Sequence, residues 1–355
     1  MLFLIVTITA SGLLLTALYS SWSNRVVGKP LNTSEAPTVS LLIPARNETH
    51  AITNSLHQAL ALDYPKLEII VLDDLSGDAT SEKIRAFAQD GVRFMKGLPP
   101  PNGWVGKNWA CQQLAQTASG EYLVFCDTDV LLKSKGLNRL IRAMVAGKLD
   151  GLSTLPQLLL QSRRQILSYP LLNWLILLIP HQSTALAPAY GGLQIFKTTA
   201  YRQHGGFARY PEVMLPELML ARHFSRTGRF RFFNNYRLDT VLLKKPSSLI
   251  ESRIRYLWPL YRDFYSLGLL HFSLTLLPLI SLALYPWLYL IVAAAWLVTI
   301  RGHVSNSSLG ILALPFICLL ELGLLMASIL RHRRGAVAWK QRDVSQSQLV
   351  THQQA

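Results

Sequence analysis

The sequence predicts an α/β domain with a mostly parallel sheet, between an amino-terminal membrane anchor and carboxyl-terminal membrane helices. Residues 1–20, 267–300 and 308–330 are almost wholly apolar, and about 20 such residues cross a hydrocarbon core. Between them, short apolar runs alternate with helical periodicity, which is typical of a parallel sheet with crossover helices. We expect an anchor at 1–22, the α/β domain at 38–260, membrane helices at 266–331 and a basic, polar tail at 332–355.

The strands are predicted by short, apolar runs ended by proline or aspartate, and the helices by apolar residues at a spacing of three and four. Asp63-Tyr64-Pro65 ends the first helix. The loop at 97–108 is rich in glycine and proline. The strands are expected at Val39–Ile43, Leu67–Leu72, Val92–Met95 and Glu121–Cys126. The helices are expected at 52–60, Thr80–Gln89 and Trp109–Ala118.

The distribution of charge argues against nucleic acid as a partner. The net charge is +15, but the basic residues flank the apolar segments. Arg25 and Lys29 follow the first segment, and the last is followed by Arg331, Arg333, Arg334, Lys340 and Arg342. This is the positive-inside pattern, reinforced by anionic lipids. We therefore expect a multi-pass protein of the inner (cytoplasmic) membrane with its α/β domain in the cytoplasm.

The number of membrane spans depends on residues 267–300, which are long for one helix and short for two. One span there gives three in total and keeps the basic tail inside, whereas two would place it outside, against the charge rule. No basic residue precedes the first apolar run, which favours an uncleaved anchor over a signal peptide. Residues 165–180 are either an interfacial helix or a core helix.

Acidic residues follow three of the predicted strands: Glu48, the pair Asp73-Asp74, and the pair Asp127 and Asp129. The carboxyl ends of parallel strands meet at one edge of a sheet, where open α/β sheets bind ligands. Helix capping explains one such cluster, but crowded carboxylates need a cation or a basic ligand. A hard divalent cation prefers such oxygens and also holds phosphates. The chain has neither a Gly-x-Gly-x-x-Gly turn nor a P-loop.

These residues resemble the family 2 glycosyltransferases of GT-A fold. The matching segments are Val39-Ser-Leu-Leu-Ile-Pro-Ala-Arg-Asn-Glu48, residues 67–80 (LEIIVLDDLSGDAT) and Phe125-Cys-Asp-Thr-Asp129. The loop Gly103-Trp-Val-Gly-Lys-Asn-Trp-Ala110 is similar to that of a membrane-bound branch that includes carotenoid and hopanoid-associated glycosyltransferases. The resemblance covers about residues 38–230.

The resemblance implies roles for residues at the sheet edge. Pro44, Arg46, Glu48, Asp73 and Asp74 would line the pocket for the nucleotide of a nucleotide-sugar donor. In the same way, Asp127 and Asp129 would face the ribose and a Mg²⁺ or Mn²⁺ ion that bridges the diphosphate. Lys107 would add charge to this site, or be a solvated lysine in a flexible loop.

The second half of the predicted site departs from the family pattern. Tyr190-Gly-Gly-Leu-Gln-Ile-Phe196 fits the family's Gly-Gly and strand, but the usual pair of acids at the next helix is replaced by Pro216-Glu217. Glu217 is the candidate base that takes the proton of the acceptor hydroxyl, or else an acid at a helix amino terminus. Arg255 would grip the diphosphate, or be a positive-inside residue.

From the resemblance we expect an inverting, metal-dependent membrane glycosyltransferase. It would transfer a sugar, from UDP-glucose in our expectation, to a lipid acceptor such as a carotenoid or another isoprenoid. One alternative is a polyprenyl-phosphate glycosyltransferase. Another, left open by Pro216-Glu217, is a catalytically impaired membrane scaffold that binds nucleotide-sugar or lipid.

Overall fold

The chain forms two compact units that alternate along the sequence. A computed structural model describes residues 1–23, 36–160, 162–179, 186–226, 229–234, 240–244, 246–301, 303–304, 310–340 and 342–343. The helical unit comprises Met1–Arg25, Gln157–Pro188 and Lys244–Val337. The sheet unit comprises Val26–Pro156, Ala189–Leu243 and Ala338–Ala355. The sheet unit therefore differs from the α/β domain expected at 38–260. It lacks residues 157–188 and 244–260, and it includes a carboxyl-terminal segment.

Helices and strands are numbered in chain order across both units. The sheet unit contains β1 (Val39–Ala45), α2 (Ile52–Leu60), β2 (Leu67–Asp73), α3 (Thr80–Arg85), β3 (Val92–Lys96), α4 (Gly106–Thr117), β4 (Tyr122–Cys126), β5 (Val130–Leu132), α5 (Gly136–Ala146), β6 (Gly151–Leu155), β8 (Leu193–Lys197), α7 (Thr198–Gln203), α8 (Pro216–Ser225), β9 (Phe230–Asn234), β10 (Thr240–Leu242), β11 (Ala338–Trp339) and β12 (Arg342–Asp343). The helical unit contains α1 (Leu2–Ser23), β7 (Gln157–Leu158), α6 (Leu171–Leu178), α9 (Pro246–Asp263), α10 (Tyr265–Leu284), α11 (Pro286–Ile300) and α12 (Gly310–Arg333).

The main sheet is mostly parallel, as the sequence predicted. Its strand order is β3-β2-β1-β4-β8-β6-β9, and the first four strands in that order run parallel. Leu42 of β1 lies in register with Ile70 of β2 and Phe125 of β4, and these three side chains are buried. β8 runs antiparallel to both of its neighbours. The amino end of β8 therefore lies at the same edge as the carboxyl ends of β1, β2 and β4.

Two predicted helices differ from the observed ones. The helix expected at Thr80–Gln89 ends at Arg85, and a separate 3₁₀ turn follows at Ala88–Asp90. The helix expected from Trp109 begins at Gly106. Lys107 thus lies in the first turn of α4 and not in a flexible loop. The helix therefore fixes the direction in which its side chain leaves the backbone.

Three helices are long and apolar enough to cross a membrane, among the residues that the structure describes. They are Leu2–Ser20, Tyr265–Leu284 and Ile311–Arg333. Residues 267–300 form two helices, α10 and the 15-residue α11, because the chain breaks at Tyr285 before the N1 proline Pro286. In the tail expected from residue 332, α12 continues to Arg333 and the hairpin β11–β12 follows. Residues 344–355 lie outside the described residues.

The helix predicted within residues 165–180 is a core helix of the helical unit. All residues of α6 except Asn173 are buried. The fully buried Trp174 makes an edge-to-face contact with Trp296 of α11, with ring centroids 6.4 Å apart. The interfacial placement is therefore wrong, because no apolar face of α6 is left for a membrane surface.

A buried cluster of charged residues connects three helices of this unit. Arg253 of α9 forms an ion pair with Glu321 of α12, and both side chains are almost fully buried. His271 Nε2 of α10 lies 3.3 Å from Glu321 Oε1, and His271 Nδ1 is 2.9 Å from the Tyr261 hydroxyl. Arg253 also donates to the Ser168 carbonyl. Buried charges of this kind are tolerated when they are paired and hydrogen-bonded.

Candidate functional site

The acidic residues lie where the sequence placed them, along one edge of the main sheet. Asp73 ends β2, and Asp127 directly follows β4. The turn Tyr190–Gly192 enters β8 at the same edge, and the Gly192 carbonyl accepts a hydrogen bond of 2.9 Å from the Asp127 N–H. The antiparallel strand β8 thus brings a segment more than sixty residues downstream against the Asp127 turn.

Asp127 forms an ion pair with Lys107. The ammonium Nζ lies 2.7 Å from each carboxylate oxygen of Asp127 and 3.3 Å from the Gly191 carbonyl. Burial disfavours this charge, but Asp127, Cys111 and Glu217 together raise the pKa of Lys107 above its usual value. The lysine therefore stays protonated at neutral pH and supplies one positive charge at the sheet edge.

Glu217, together with Lys107 and Asp127, forms one cluster of charged side chains. It lies in the first turn of α8, directly after the N1 proline Pro216. Its carboxylate lies so close to Gly191 that a Cβ added there would come within 2.9 Å of Glu217 Cδ. A side chain at residue 191 would therefore displace the Glu217 carboxylate.

The environment of Cys111 shows which charges surround the cluster. Burial raises the pKa of this thiol to about 12, with further contributions from Asp127, Asp74 and Glu217, while Lys107 acts in the opposite direction. Burial, Asp129 and Asp127 likewise raise the pKa of Tyr190. Asp127 and Glu217 therefore act on both side chains, whereas Asp74 acts on Cys111 and Asp129 acts on Tyr190.

Asn108 holds the two segments that carry Lys107 and Glu217. This side chain is almost fully buried, and its Nδ2 donates to the carbonyls of Tyr210, Pro211 and Val213 at 2.9–3.1 Å. The Val105 N–H also donates to the Pro211 carbonyl. The start of α4 is thereby fixed to the loop that leads into α8. Sequence reasoning did not single out Asn108, although a polar residue on a helix face otherwise lined by buried residues was a usable signal.

The loops after β1 and β2 carry the other residues that were predicted to bind the nucleotide. Arg46 Nη1 donates to the carbonyls of Asp74 and Leu75, at 2.5 and 2.9 Å. Asp73 accepts hydrogen bonds from the Ser81 hydroxyl and the Ser76 N–H. Asp73 and Asp74 are both buried. The hydrogen bonds that Asp73 accepts stabilise the loop after β2.

The hairpin β11–β12 contacts the loop after β1, which the sequence did not predict. Lys340 Nζ lies 2.7 Å from Glu48 Oε1 and 3.3 Å from the Asn47 carbonyl. The Lys340 carbonyl accepts hydrogen bonds from Arg46 Nε at 3.1 Å and Asn47 Nδ2 at 3.2 Å. Almost 300 residues separate these partners in the chain, so no local pattern indicated the contact.

Pro44 and Arg255, two residues predicted to bind the donor, do not lie in the loops at the sheet edge. Pro44 lies within β1, in register with Leu72 of β2, and therefore belongs to the sheet behind the loops. Arg255 belongs to α9 in the helical unit and not to the unit that carries the acidic cluster. Its neighbour Arg253 is the arginine that is buried, against Glu321.

Comparison with known proteins finds relatives of the segment that carries these loops. Residues 40–157, from β1 through β6, match the family model described as glycosyl transferase family 2. These residues are therefore similar to family 2 glycosyltransferases over this part of the chain. The matched range includes Arg46, Glu48, Asp73, Asp74, Lys107, Asp127 and Asp129.

Curated relatives of the chain align over part of their length. The chain is 37% identical over 102 residues to a probable glycosyltransferase, YdaM, of Bacillus subtilis, covering 28% of this chain and 24% of the relative. It is 29% identical over 152 residues to the 4,4'-diaponeurosporenoate glycosyltransferase of Staphylococcus haemolyticus, covering 41% of this chain and 40% of that protein. The alignments thus span less than half of each relative.

A solved structure supports the GT-A fold. The mannosyltransferase PcManGT of Pyrobaculum calidifontis, in complex with GDP-Man and Mn²⁺, superposes with a TM-score of 0.57 at 20% identity. The match covers 92% of this chain and 97% of that protein. At this identity the likeness concerns the fold.

The edge of the main sheet offers few protein ligands for a metal ion. Among the residues that the structure describes, no group of three or more histidine, cysteine, aspartate or glutamate side chains could hold an ion. Asp127 and Asp129 supply two carboxylates, and Asp127 already accommodates the ammonium of Lys107. Two carboxylates fit Mg²⁺ or Mn²⁺ when substrate phosphates and water complete the coordination. The donor set therefore fits a metal that is bound together with a diphosphate.

Proposed function

We propose that the protein is a membrane-associated glycosyltransferase that moves a sugar from a nucleoside diphosphate sugar to an isoprenoid lipid. The observation that carries this proposal is the cluster of Lys107, Asp127 and Glu217 at the ligand-binding edge of a family 2 glycosyltransferase domain. This cluster combines a cation that can bind a diphosphate, Lys107, with a carboxylate that can accept a proton, Glu217. UDP-glucose is the proposed donor.

In the proposed reaction the acceptor oxygen attacks the anomeric carbon of the sugar. The bond from this carbon to the diphosphate oxygen breaks, and the nucleoside diphosphate leaves with the electron pair. Glu217 takes the proton of the acceptor hydroxyl as the new glycosidic bond forms. A carboxyl acceptor is already deprotonated and would need no base. Attack opposite the leaving group inverts the anomeric configuration.

Lys107 and its neighbours prepare the site for the negative charge that develops on the leaving group. The ammonium is held between Asp127 and the Gly191 carbonyl, and such preorganised charge is a large source of catalysis in a site of low polarity. A Mg²⁺ or Mn²⁺ ion held by Asp127 and Asp129 would act as a Lewis acid that neutralises the diphosphate. Asn108 keeps Lys107 and Glu217 in register.

The lipid acceptor is proposed from two observations. Three helices of the described chain are long and apolar enough to cross a membrane, and one relative is named for its carotenoid acceptor. A substrate within a bilayer would reach a membrane-associated enzyme by lateral diffusion. We also propose that the sheet unit faces the cytoplasm, where nucleotide-sugars are made, and that anionic lipids contact the basic flanks of the apolar helices.

Transfer to lipid can be tested directly in membranes that contain the full chain. Radiolabelled UDP-glucose and a Mn²⁺ salt are added, and label is measured in the organic phase with and without a chelator. We expect chelator-sensitive labelled lipid from the wild type. The Glu217→Gln variant should lose transfer by at least a hundredfold, because removal of a general base typically costs 10²–10⁴-fold, while it still binds UDP.

Different outcomes distinguish the alternatives. Label recovered only after a polyprenyl phosphate is added would indicate the polyprenyl-phosphate glycosyltransferase. Binding of UDP-sugar without turnover, not rescued by Glu217→Asp, would indicate a scaffold and contradict the proposed enzyme. The matched control is Glu212→Gln, an exposed carboxylate in the loop that precedes α8, which should leave transfer unchanged.

A further inference from the structure

We propose that Lys340, which directly follows β11, is a binding residue for the nucleotide donor beside β1. This inference rests on the proposed function, since it assigns a residue to the donor of that reaction. It adds a segment beyond the residues that match the glycosyltransferase family model, which end at 157.

Lys340 is held in place by contacts of both its main chain and its side chain. The Lys340 carbonyl accepts from Arg46 and Asn47, and its ammonium contacts Glu48 and the Asn47 carbonyl. Lys340 also adopts a left-handed backbone conformation, with φ of 49°. This conformation is uncommon for a residue other than glycine. The contact is therefore a built feature of the sheet unit.

The charges of this region favour a role in donor binding. Glu48, Asp73 and Asp74 concentrate negative charge beside a pocket that must accept an anionic nucleoside diphosphate. Arg46 directs its guanidinium to the main-chain carbonyls of Asp74, Leu75 and Lys340, so this cation is used to hold the loops. Lys340 is a further cation of this region, and it offsets the charge of Glu48.

Lys340 retains a donor for the ligand. An ammonium has three N–H groups, and two are accounted for by Glu48 Oε1 and the Asn47 carbonyl. Its side chain keeps 29% of its surface exposed. The third N–H suits an acceptor oxygen of the nucleotide, such as a base carbonyl, a ribose hydroxyl or a phosphate oxygen. The sequence placed Arg46 and Glu48 in the nucleotide pocket, and Lys340 touches both.

The test is nucleotide binding by the full chain in detergent, measured by calorimetry with UDP and with GDP in the presence of Mn²⁺. We expect Lys340→Ala to bind the preferred nucleotide at least tenfold more weakly, the typical effect of losing one charge-assisted hydrogen bond. Lys340→Arg should recover part of the affinity because it keeps the charge. Thermal melting of each variant shows whether it is folded, and Lys340→Met retains the length of the side chain if Lys340→Ala is unstable.

Lys148 provides a matched control. It is a second lysine with φ of 49°, and it is exposed in the turn after α5, so Lys148→Ala should bind like the wild type. Unchanged binding by Lys340→Ala would overturn the inference. Tighter binding would overturn it as well and would mean that Lys340 competes with the nucleotide. If the wild type itself binds neither nucleotide, the proposed function fails together with this inference.

Discussion

Arg253 Nη1 lies 2.8 Å from Oε2 of Glu321, and both side chains are almost completely buried within the helical unit. Breaking such a pair leaves an uncompensated charge, which typically costs on the order of 3–5 kcal/mol. We expect Glu321→Ala to lower the melting temperature of the detergent-solubilised protein strongly. Replacing both partners, as in Arg253→Met with Glu321→Leu, should recover most of the loss. A double variant as unstable as the single one would contradict this pairing.

Gly191 gives a way to displace Glu217 without changing its chemistry. A Cβ at residue 191 would lie 2.9 Å from Glu217 Cδ, and the flexible glutamate side chain would move away. We expect Gly191→Ala to melt close to the wild-type temperature but to lose transfer by at least tenfold, mainly in kcat. Gly12→Ala is the control, because a Cβ there meets no atom within 4 Å. Wild-type transfer by Gly191→Ala would show that the position of Glu217 is unimportant.

Metal binding should depend on the nucleotide. The described residues supply two carboxylates at the expected site, Asp127 and Asp129, and no cluster of three metal-binding side chains. Because diphosphate oxygens must complete the coordination, we expect Mn²⁺ alone to bind weakly and UDP or GDP to increase its affinity at least tenfold. Electron paramagnetic resonance of free Mn²⁺ measures this directly. Tight binding of Mn²⁺ without nucleotide would indicate ligands elsewhere.

Asp78 predicts a dependence of stability on acid pH. Burial acts in the opposite direction, but hydrogen bonds from Thr49 and Thr80 lower the pKa of Asp78 from 3.8 to about 2. A carboxylate whose pKa is lower in the folded state stabilises the fold above pH 3.8, and this contribution is lost as the pH falls towards 2. The melting temperatures of the wild type and Asp78→Asn should therefore differ at pH 6 and converge near pH 2. A constant difference would exclude this linkage.

The sequence predicted the first half of the fold well because parallel strands are continuous apolar runs with sharp ends. β1 begins at the expected Val39, and β4 ends at the expected Cys126. The positions of the acidic residues follow from the positions at which the strands end. The start of α4 was missed by three residues, because Gly106 gives no helical signal of its own. That shift changed Lys107 from a loop residue into one fixed on a helix.

The sequence did not predict the contacts between segments that lie far apart in the chain. Nothing local to Lys340 indicates Glu48, and nothing local to Asn108 indicates the carbonyls of residues 210–213. The position of Glu217 depends on the antiparallel insertion of β8, which brings Gly191 to the carboxyl edge of a parallel sheet. Strand direction is set by the whole topology, and an apolar run of five residues is the same in either direction.

The alternation of the two units along the chain has a consequence for biosynthesis. Arg46 and Glu48 emerge from the ribosome early, but their partner Lys340 follows only after the final apolar helix has been translated. A nascent chain can therefore pair β1 with β2 and β4 long before the loop after β1 acquires its last contact. If Lys340 binds the donor, a nascent chain in which α12 has just been made still lacks this contact and would hold nucleotide-sugar less tightly than the finished protein.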